Sequence, residues 1–493
     1  MNPLKRLAGQ TAIYGLSSII GRLLNYLLVP LHTRVFAPEQ FGIITEMYAY
    51  VAFLLIVLTY GFETAYFRFS SKEGFKDKVF STSMISLLIS SAGFLLLCVA
   101  FAQPIANAIQ YPNHSEYVIW FAMILAADAV TAVPFSKLRF DNKPIRFALI
   151  KIIGIAINIG LNVFFIWLCP LWYAAASPEG KELMHWFFNP ETGVGYVFIA
   201  NLLASLATLL LLSPTIIGMK WKFDKALWKE MFRYAFPLLI SGLAGITNEM
   251  FSRTSMKYQL PEDRAMYDLG IFGACYKVAI LMTLFIQTFR FAAEPFFFAQ
   301  AKEKDAKQLY ADVMKYFVMI CSIIFLGIMI FIDVVSLFID KAYHEGLSVV
   351  PILLMANVFL GIFFNLSIWF KLNDKTHLGA WLAIMGAAIT VILNYWWIPL
   401  YSYQGAAWAT FVVYFIMMMT SYFLGRKYYP VPYEISKIIA YPLAAYLVYY
   451  VADSIINNHD IFDYILRSLI LLIFIGAIVF IEKPKKLTSP RQN

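Results

Sequence analysis

Leu269–Gln300 reads LGIFGACYKVAILMTLFIQTFRFAAEPFFFAQ, and this stretch decides the fold class. It is long and mostly apolar, as a helix that crosses a bilayer must be. Yet it carries Lys277, Gln287, Arg290 and Glu294. At about 100° per residue, Tyr276, Thr283, Gln287, Arg290 and Glu294 fall in one stripe, with Lys277 roughly a third of a turn away. A charge that faces lipid costs roughly 3 kcal/mol or more, so such a stripe faces protein or a watery cavity. Arg290 and Glu294 are also spaced to neutralise each other and pin helices together. The stripe extends beyond that pair, which a purely structural role does not require.

The rest of the chain has the same character. Of 493 residues, 61% are apolar and 14% charged, which places the chain among polytopic membrane proteins. Fourteen spans are expected, at about 8–34, 41–67, 79–102, 116–136, 146–172, 193–217, 232–258, 267–300, 311–338, 347–370, 377–400, 404–425, 434–452 and 462–481. Cys98, Cys169, Cys275 and Cys321 sit far apart inside apolar runs and read as small buried hydrophobes, with no disulfide or metal framework. The short basic Met1–Arg6 and the long segment after it read as a retained first span rather than a cleavable leader.

The net charge of +9 is explained by topology, not by nucleic acid. Of the 39 basic residues, 28 fall in alternate loops and tails, among them Lys76, Lys137, Lys143, Arg146, Lys225 and Lys304. The opposite loops hold six: Arg34, Lys181, Arg253, Lys257, Arg264 and Lys341. Basic loops stay in the cytoplasm, so both termini are expected there and the span count is even. Five basic residues lie within spans: Arg22, Lys151, Lys277, Arg290 and Arg467.

The chain also repeats itself. Phe41-Gly42-Ile43 opens the second span and Leu269-Gly270-Ile271 the eighth, an offset of 228. Arg139-Phe140-Asp141-Asn142-Lys143 answers Lys371-Leu372-Asn373-Asp374-Lys375 at an offset of 232, and Leu161-Asn162 answers Leu393-Asn394 at the same offset. Gly193-Val194-Gly195 answers Gln404-Gly405-Ala406 at the start of spans six and twelve. Matches in register mark an internal duplication. Because spans one and seven begin on the same side, the copies are parallel, related by an axis along the membrane normal. The expected organisation is a six-helix lobe at 1–217, a second at 218–427, and two further helices with a tail at 428–493.

Fourteen spans, two six-span copies, the glycine opening of spans two and eight and the Leu-Asn plus Gly-Ala pattern of spans eleven and twelve resemble the multidrug/oligosaccharidyl-lipid/polysaccharide (MOP) exporter superfamily. Within it, the chain is most similar to the Wzx-type polysaccharide or O-antigen flippases. The resemblance covers nearly the whole chain. It implies a bacterial inner-membrane protein that flips an oligosaccharide linked to polyprenyl diphosphate from the cytoplasmic to the outer leaflet. Related lipid II flippases use membrane-embedded arginines that face a central cavity.

Residues suited to such a substrate are present. Thr11, Ser18, Arg22 and Asn25 share a face of the first span, with His32 near its edge. Arg22 is too deep to snorkel cheaply, and a guanidinium can hold phosphate oxygens in bidentate fashion. Arg22 and Arg290 are therefore expected to meet the diphosphate jointly, with Asn25, Lys277, Gln287 and Glu294 beside them. His32 reads as a satisfied interface histidine. For ion coupling or gating the candidates are Asp128, Lys151, Glu249 and Arg253. Asp128 either pairs with Lys151 or binds a coupling proton or sodium ion. Glu249 and Arg253, four apart, read as a structural ion pair or an outer gate. Asn158 and Asn162 are expected to bond between helices.

No cofactor is expected, and the sequence has no phosphate-binding glycine loop, paired-histidine metal motif or nucleophile elbow. A membrane enzyme of polysaccharide assembly would need a large outer loop or a carboxylate cluster. A drug/cation antiporter of the same fold would want an acidic cavity, whereas the deepest stripes here hold arginine. The expected partners are the lipid-linked anionic oligosaccharide, membrane lipids and a coupling ion, with no nucleic acid.

Overall fold

The computed structural model describes residues 19–71, 76–301, 303–456 and 460–482, leaving aside the side chains of Lys76, Pro295 and Ala299. Among the described residues there is no strand. A helix satisfies all its backbone groups internally, which is what a chain this apolar requires in lipid.

Eleven described helices are long and apolar enough to span a membrane. One of them, Thr376–Tyr428, is two spans, because Ser402 breaks it with φ 49 and ψ −134. Lys225–Gln259 is a further helix of 35 residues, long enough but too polar for that criterion. Residues 19–26 are helical and lead into Val29–Val35, where the expected first span ends; its beginning lies outside the described residues. The fourteen expected spans are thereby accounted for, and the protein is an all-α, multi-pass membrane protein.

The duplication is written in backbone geometry. Asn142 and Asp374, equivalent at an offset of 232, both adopt a left-handed conformation, with φ 52 and 54. Each sits in the same helix-ending motif: Lys143 N donates to Leu138 O at 2.9 Å, and Lys375 N to Phe370 O at 2.8 Å. The openings of spans six and twelve each carry one positive-φ residue, two positions out of the motif register that pairs Gly193 with Gln404. Gly193 has φ 50 and ψ −121, and Ser402 has φ 49 and ψ −134. Glycine takes such a backbone freely and serine does not. Ser402 is held there by a hydrogen bond from its Oγ to Asp268, which also accepts from Arg264 at 3.0 Å.

The chain divides into two compact units. The first comprises residues 1–277, 342–346 and 380–409. In it, Lys76–Ala100 and Gly195–Ile217 pack on Ser115–Phe140, and Lys225–Gln259 packs on Pro38–Thr59. Its largest core gathers Phe62, Tyr66, Met84, Leu87, Val133 and Met231. Gly42 and Gly270 meet in this unit. A Cβ on Gly42 would strike the carbonyl of Met266, and one on Gly270 the carbonyl of Pro38. The contact is reciprocal at an offset of 228, so the two glycines that mark the repeat are there to let two backbones touch. The second unit comprises residues 278–341, 347–379 and 410–493. There Ala306–Ile330 packs on Val350–Leu366, Ile435–Ile455 and Ile461–Ile481.

Candidate functional site

The first unit encloses two polar chambers. The larger, about 550 Å³, is lined by Glu63, Asp128, Arg139, Lys151, Asn158, Asn201 and Ser205 among others. Two carboxylates face two cations, so its charge balances. Arg139 closes on Glu63 at 3.3 Å and on Ser136 at 3.1 Å. Asp128 and Lys151 behave differently. They act on each other electrostatically, yet among the described residues they form no ion pair within 4.0 Å. Asp128 instead lies near Ser205, which lines the same chamber, while the Lys151 ammonium lies 4.8 Å above the Phe135 ring and 5.7 Å from that of Phe147. Arg22 is exposed and within electrostatic reach of Lys151.

The smaller chamber, about 320 Å³, is lined by His32, Thr45, Tyr48, Asn162, Arg253 and Lys277, and no described carboxylate lines it. Arg253 is buried, and its Nε has no hydrogen-bond partner. The guanidinium stacks 4.1 Å over Tyr276 and donates from Nη1 to the Met250 thioether, a weak acceptor. The expected Glu249–Arg253 ion pair does not form: Glu249 is exposed, and Arg253 turns to the chamber and to Tyr276. An i,i+4 spacing permits a pair but cannot compel it when an aromatic face competes.

Asn25, Asn158 and Asn201 line both chambers. A relay of amides runs along that wall. Asn158 Nδ2 donates to Asn25 Oδ1 at 3.2 Å, Asn162 Nδ2 to Asn158 Oδ1 at 3.1 Å, and His32 Nε2 to Asn162 Oδ1 at 2.8 Å. Asn158 and Asn162 therefore bond between helices, as their spacing suggested, and His32 is satisfied. Just after Asn162, residues Val163–Leu168 widen into a π-helix, a distortion found often at functional sites.

In the second unit, Arg290, Glu294 and Lys371 line a crevice of about 20 Å³. Arg290 and Glu294 approach only to 3.9 Å, and Glu294 is taken instead by Lys371 at 2.7 Å. Arg290 spreads over the Phe364 ring at 4.6 Å. Gln287 is half-buried one turn away. Lys277 and Arg290 thus belong to different units, although one helix carries both. The partners that the sequence did not single out are Asn201 and Ser205, four apart on Gly195–Ile217; Glu63 and Arg139 come from two other helices, so no spacing joins them to each other.

The fold and the comparisons agree. Residues 7–177 match the family model described as polysaccharide biosynthesis protein. Among solved structures, the lipid II flippase MurJ in an inward closed conformation is 14% identical, with 95% of this chain and 98% of that chain covered and a TM-score of 0.73. The chain has the fold of the MOP superfamily. An inward-facing multidrug resistance MATE family transporter of that superfamily is 16% identical, covering 87% of this chain and 98% of its own, at a TM-score of 0.65. A MATE in the straight conformation is 16% identical, with 90% and 97% covered and a TM-score of 0.59. No curated protein matches the sequence.

Proposed function

We propose that this protein is a MOP-type flippase that moves a polyprenyl-diphosphate-linked oligosaccharide from the cytoplasmic to the outer leaflet of a bacterial inner membrane, for cell-surface polysaccharide synthesis such as O-antigen. The observation that carries the reading is the smaller chamber, where no described carboxylate stands in the lining beside Arg253 and Lys277 and Glu249 reaches Lys277 electrostatically without an ion pair. Two cations in a confined space need a counter-charge, and a diphosphate supplies it. Arg253 has donors left for phosphate oxygens, since its Nε is unpartnered. Arg22 and Arg290, exposed on either unit, are further diphosphate contacts, with Asn25, Gln287 and Glu294 as polar neighbours of the sugar. The match of residues 7–177 to the polysaccharide biosynthesis family supports this substrate class.

In the same reading Asp128 carries the coupling proton or sodium ion. It faces a cavity, lies near the Ser205 hydroxyl, and keeps Lys151 at a distance. A drug/cation antiporter is the second reading, and Asp128 and Glu63 are the observation that favours it. Arg139 and Lys151 offset those two carboxylates, which leaves little net attraction for an organic cation. Both termini are placed in the cytoplasm by the loop charges, and the six-helix lobes at 1–217 and 218–427 are the bodies that alternate access.

The test is surface polysaccharide in cells that depend on this chain, at matched membrane levels. Arg253→Ala and Lys277→Ala should each abolish export, and Arg253→Lys should restore part of it, since lysine keeps the charge and loses the fork. Full export by both alanine variants would sink the reading.

A further inference from the structure

A third cavity, about 300 Å³, lies at the basic end of the first unit, apart from the two chambers. Lys137, Lys143, Arg146 and Lys220 line it, against one carboxylate, Asp77. Four cations less one anion leave a net charge of +3 on its wall. Ser81 and Thr215 add hydroxyls, and Phe80 and Met219 make an apolar side. The Lys137 ammonium is fixed 4.3 Å over the Phe80 ring, so the charge is positioned rather than waving. The helix that starts at Pro144 opens at this wall and adds its positive end.

The surroundings are those of a bilayer interface. Ile145 is 68% exposed, Ile217 73% and Trp221 62%, each adjacent in sequence to a lining residue. A tryptophan between apolar and basic residues is the composition of the headgroup layer. The loop charges assign this end to the cytoplasmic leaflet, where anionic lipids attract basic clusters by about 1 kcal/mol per Lys or Arg.

We propose that this cavity is a binding site for the phosphodiester headgroup of an anionic phospholipid of the inner leaflet. Lys143, Arg146 and Lys220 hold the phosphate oxygens, and the exposed apolar rim meets the acyl chains. The site is separate from the transport chambers, so its occupancy does not depend on what the protein carries.

The purified full chain in detergent is titrated with phosphatidylglycerol, phosphatidylcholine or inorganic phosphate, and retention is read by native mass spectrometry. The wild type should retain phosphatidylglycerol at least tenfold more tightly than phosphatidylcholine. The triple variant Lys143→Gln, Arg146→Gln, Lys220→Gln should lose that preference. A control triple variant, Lys225→Gln, Lys229→Gln, Arg233→Gln, should keep it. Equal loss in both triples would reduce the effect to general surface charge and overturn the site. Displacement of the lipid by equimolar inorganic phosphate would also overturn it, by assigning the cavity to a soluble anion. If the triple variant unfolds earlier in phosphatidylcholine micelles, the single variant Lys220→Gln, on an exposed side chain, decides. It should weaken phosphatidylglycerol about threefold, and an unchanged affinity counts against the proposal. None of these readouts requires transport, so the lipid site and the flippase reading fail separately.

Discussion

The first unit handles buried opposite charges in two ways. Glu46 and Lys257 are sealed together. The carboxylate has no exposure, and the ammonium lies 3.1 Å from it, 2.6 Å from the Ile109 carbonyl and 3.5 Å over the Tyr111 ring. Tyr50 and Tyr111 also donate to Glu46, so both carboxylate oxygens are bonded. Asp128 and Lys151 carry the same charges but stand apart across a cavity. Contact satisfies a buried pair and removes it from function. Separation leaves each group to something else: an ion, a water or a substrate. In the proposed function the sealed pair is architecture and the separated one is machinery.

The sharpest way to break this comparison is to remove one partner from each pair. Lys257→Met should destabilise by about 3–5 kcal/mol, because it strands a fully buried carboxylate. Pairing it with Glu46→Gln should recover most of the loss. Thermal unfolding in detergent measures both. Lys151→Met should cost far less, since no ion pair within 4.0 Å is lost, only the approach to the Phe135 and Phe147 rings. A Lys151→Met loss as large as that of Lys257→Met would erase the distinction between the pairs.

Function sharpens the contrast from the other side. Asp128→Asn should keep the fold and lower export about tenfold or more, and the residual activity should no longer respond to the proton or sodium gradient. Export in inverted vesicles under each gradient checks this. An unchanged gradient dependence would return Asp128 to a structural role. A smaller effect is expected at the relay. Asn162→Ala leaves His32 without its acceptor and opens the wall between the chambers. It should cost about 1–3 kcal/mol of stability, with export reduced in proportion to folded protein.

How much of this was legible in the sequence depends on how far apart the partners lie. The fold class follows from local composition, and the repeat from short motifs. Gly42 and Gly270 could be read as equivalent, and their mutual contact explains why glycine stands at both. Asn142 and Asp374 could be aligned, and their shared left-handed backbone explains why small polar residues stand there. The site was only half visible. Arg253 and Lys277 were both picked out, but Arg253 was counted with the outer loops and read as a structural ion pair or a gate, and Lys277 was placed off the stripe. Their common chamber depends on how two helices turn toward each other, which periodicity along one helix does not contain. Ser205 carried no signal at all, and nothing in the sequence joined Glu63 to Arg139, because cross-helix partners have no fixed sequence spacing.

The smallest effect is expected in the second unit, where a charge cluster sits at the water's edge rather than in the interior. Glu482 accepts from Lys437 at 2.6 Å, Lys315 at 3.2 Å and Tyr441 at 2.6 Å. Partial burial opposes its charge, but those three donors outweigh it and hold the carboxyl down at about 2. Glu434, bonded by Lys315 and Lys437 at 2.8 Å each, is also lowered. A depressed carboxyl binds its proton more readily in the unfolded chain, whose glutamates titrate near 4.3 (approximately). The cluster's contribution is therefore complete above about pH 4.3 and fades as pH falls toward 2. Glu482→Gln should lower the melting temperature by a few degrees at neutral pH and converge with the wild type at pH near 2, as followed by thermal unfolding. A difference that stays constant across that window would mean that the contacts of Glu482 act through packing and not through charge at a wet boundary.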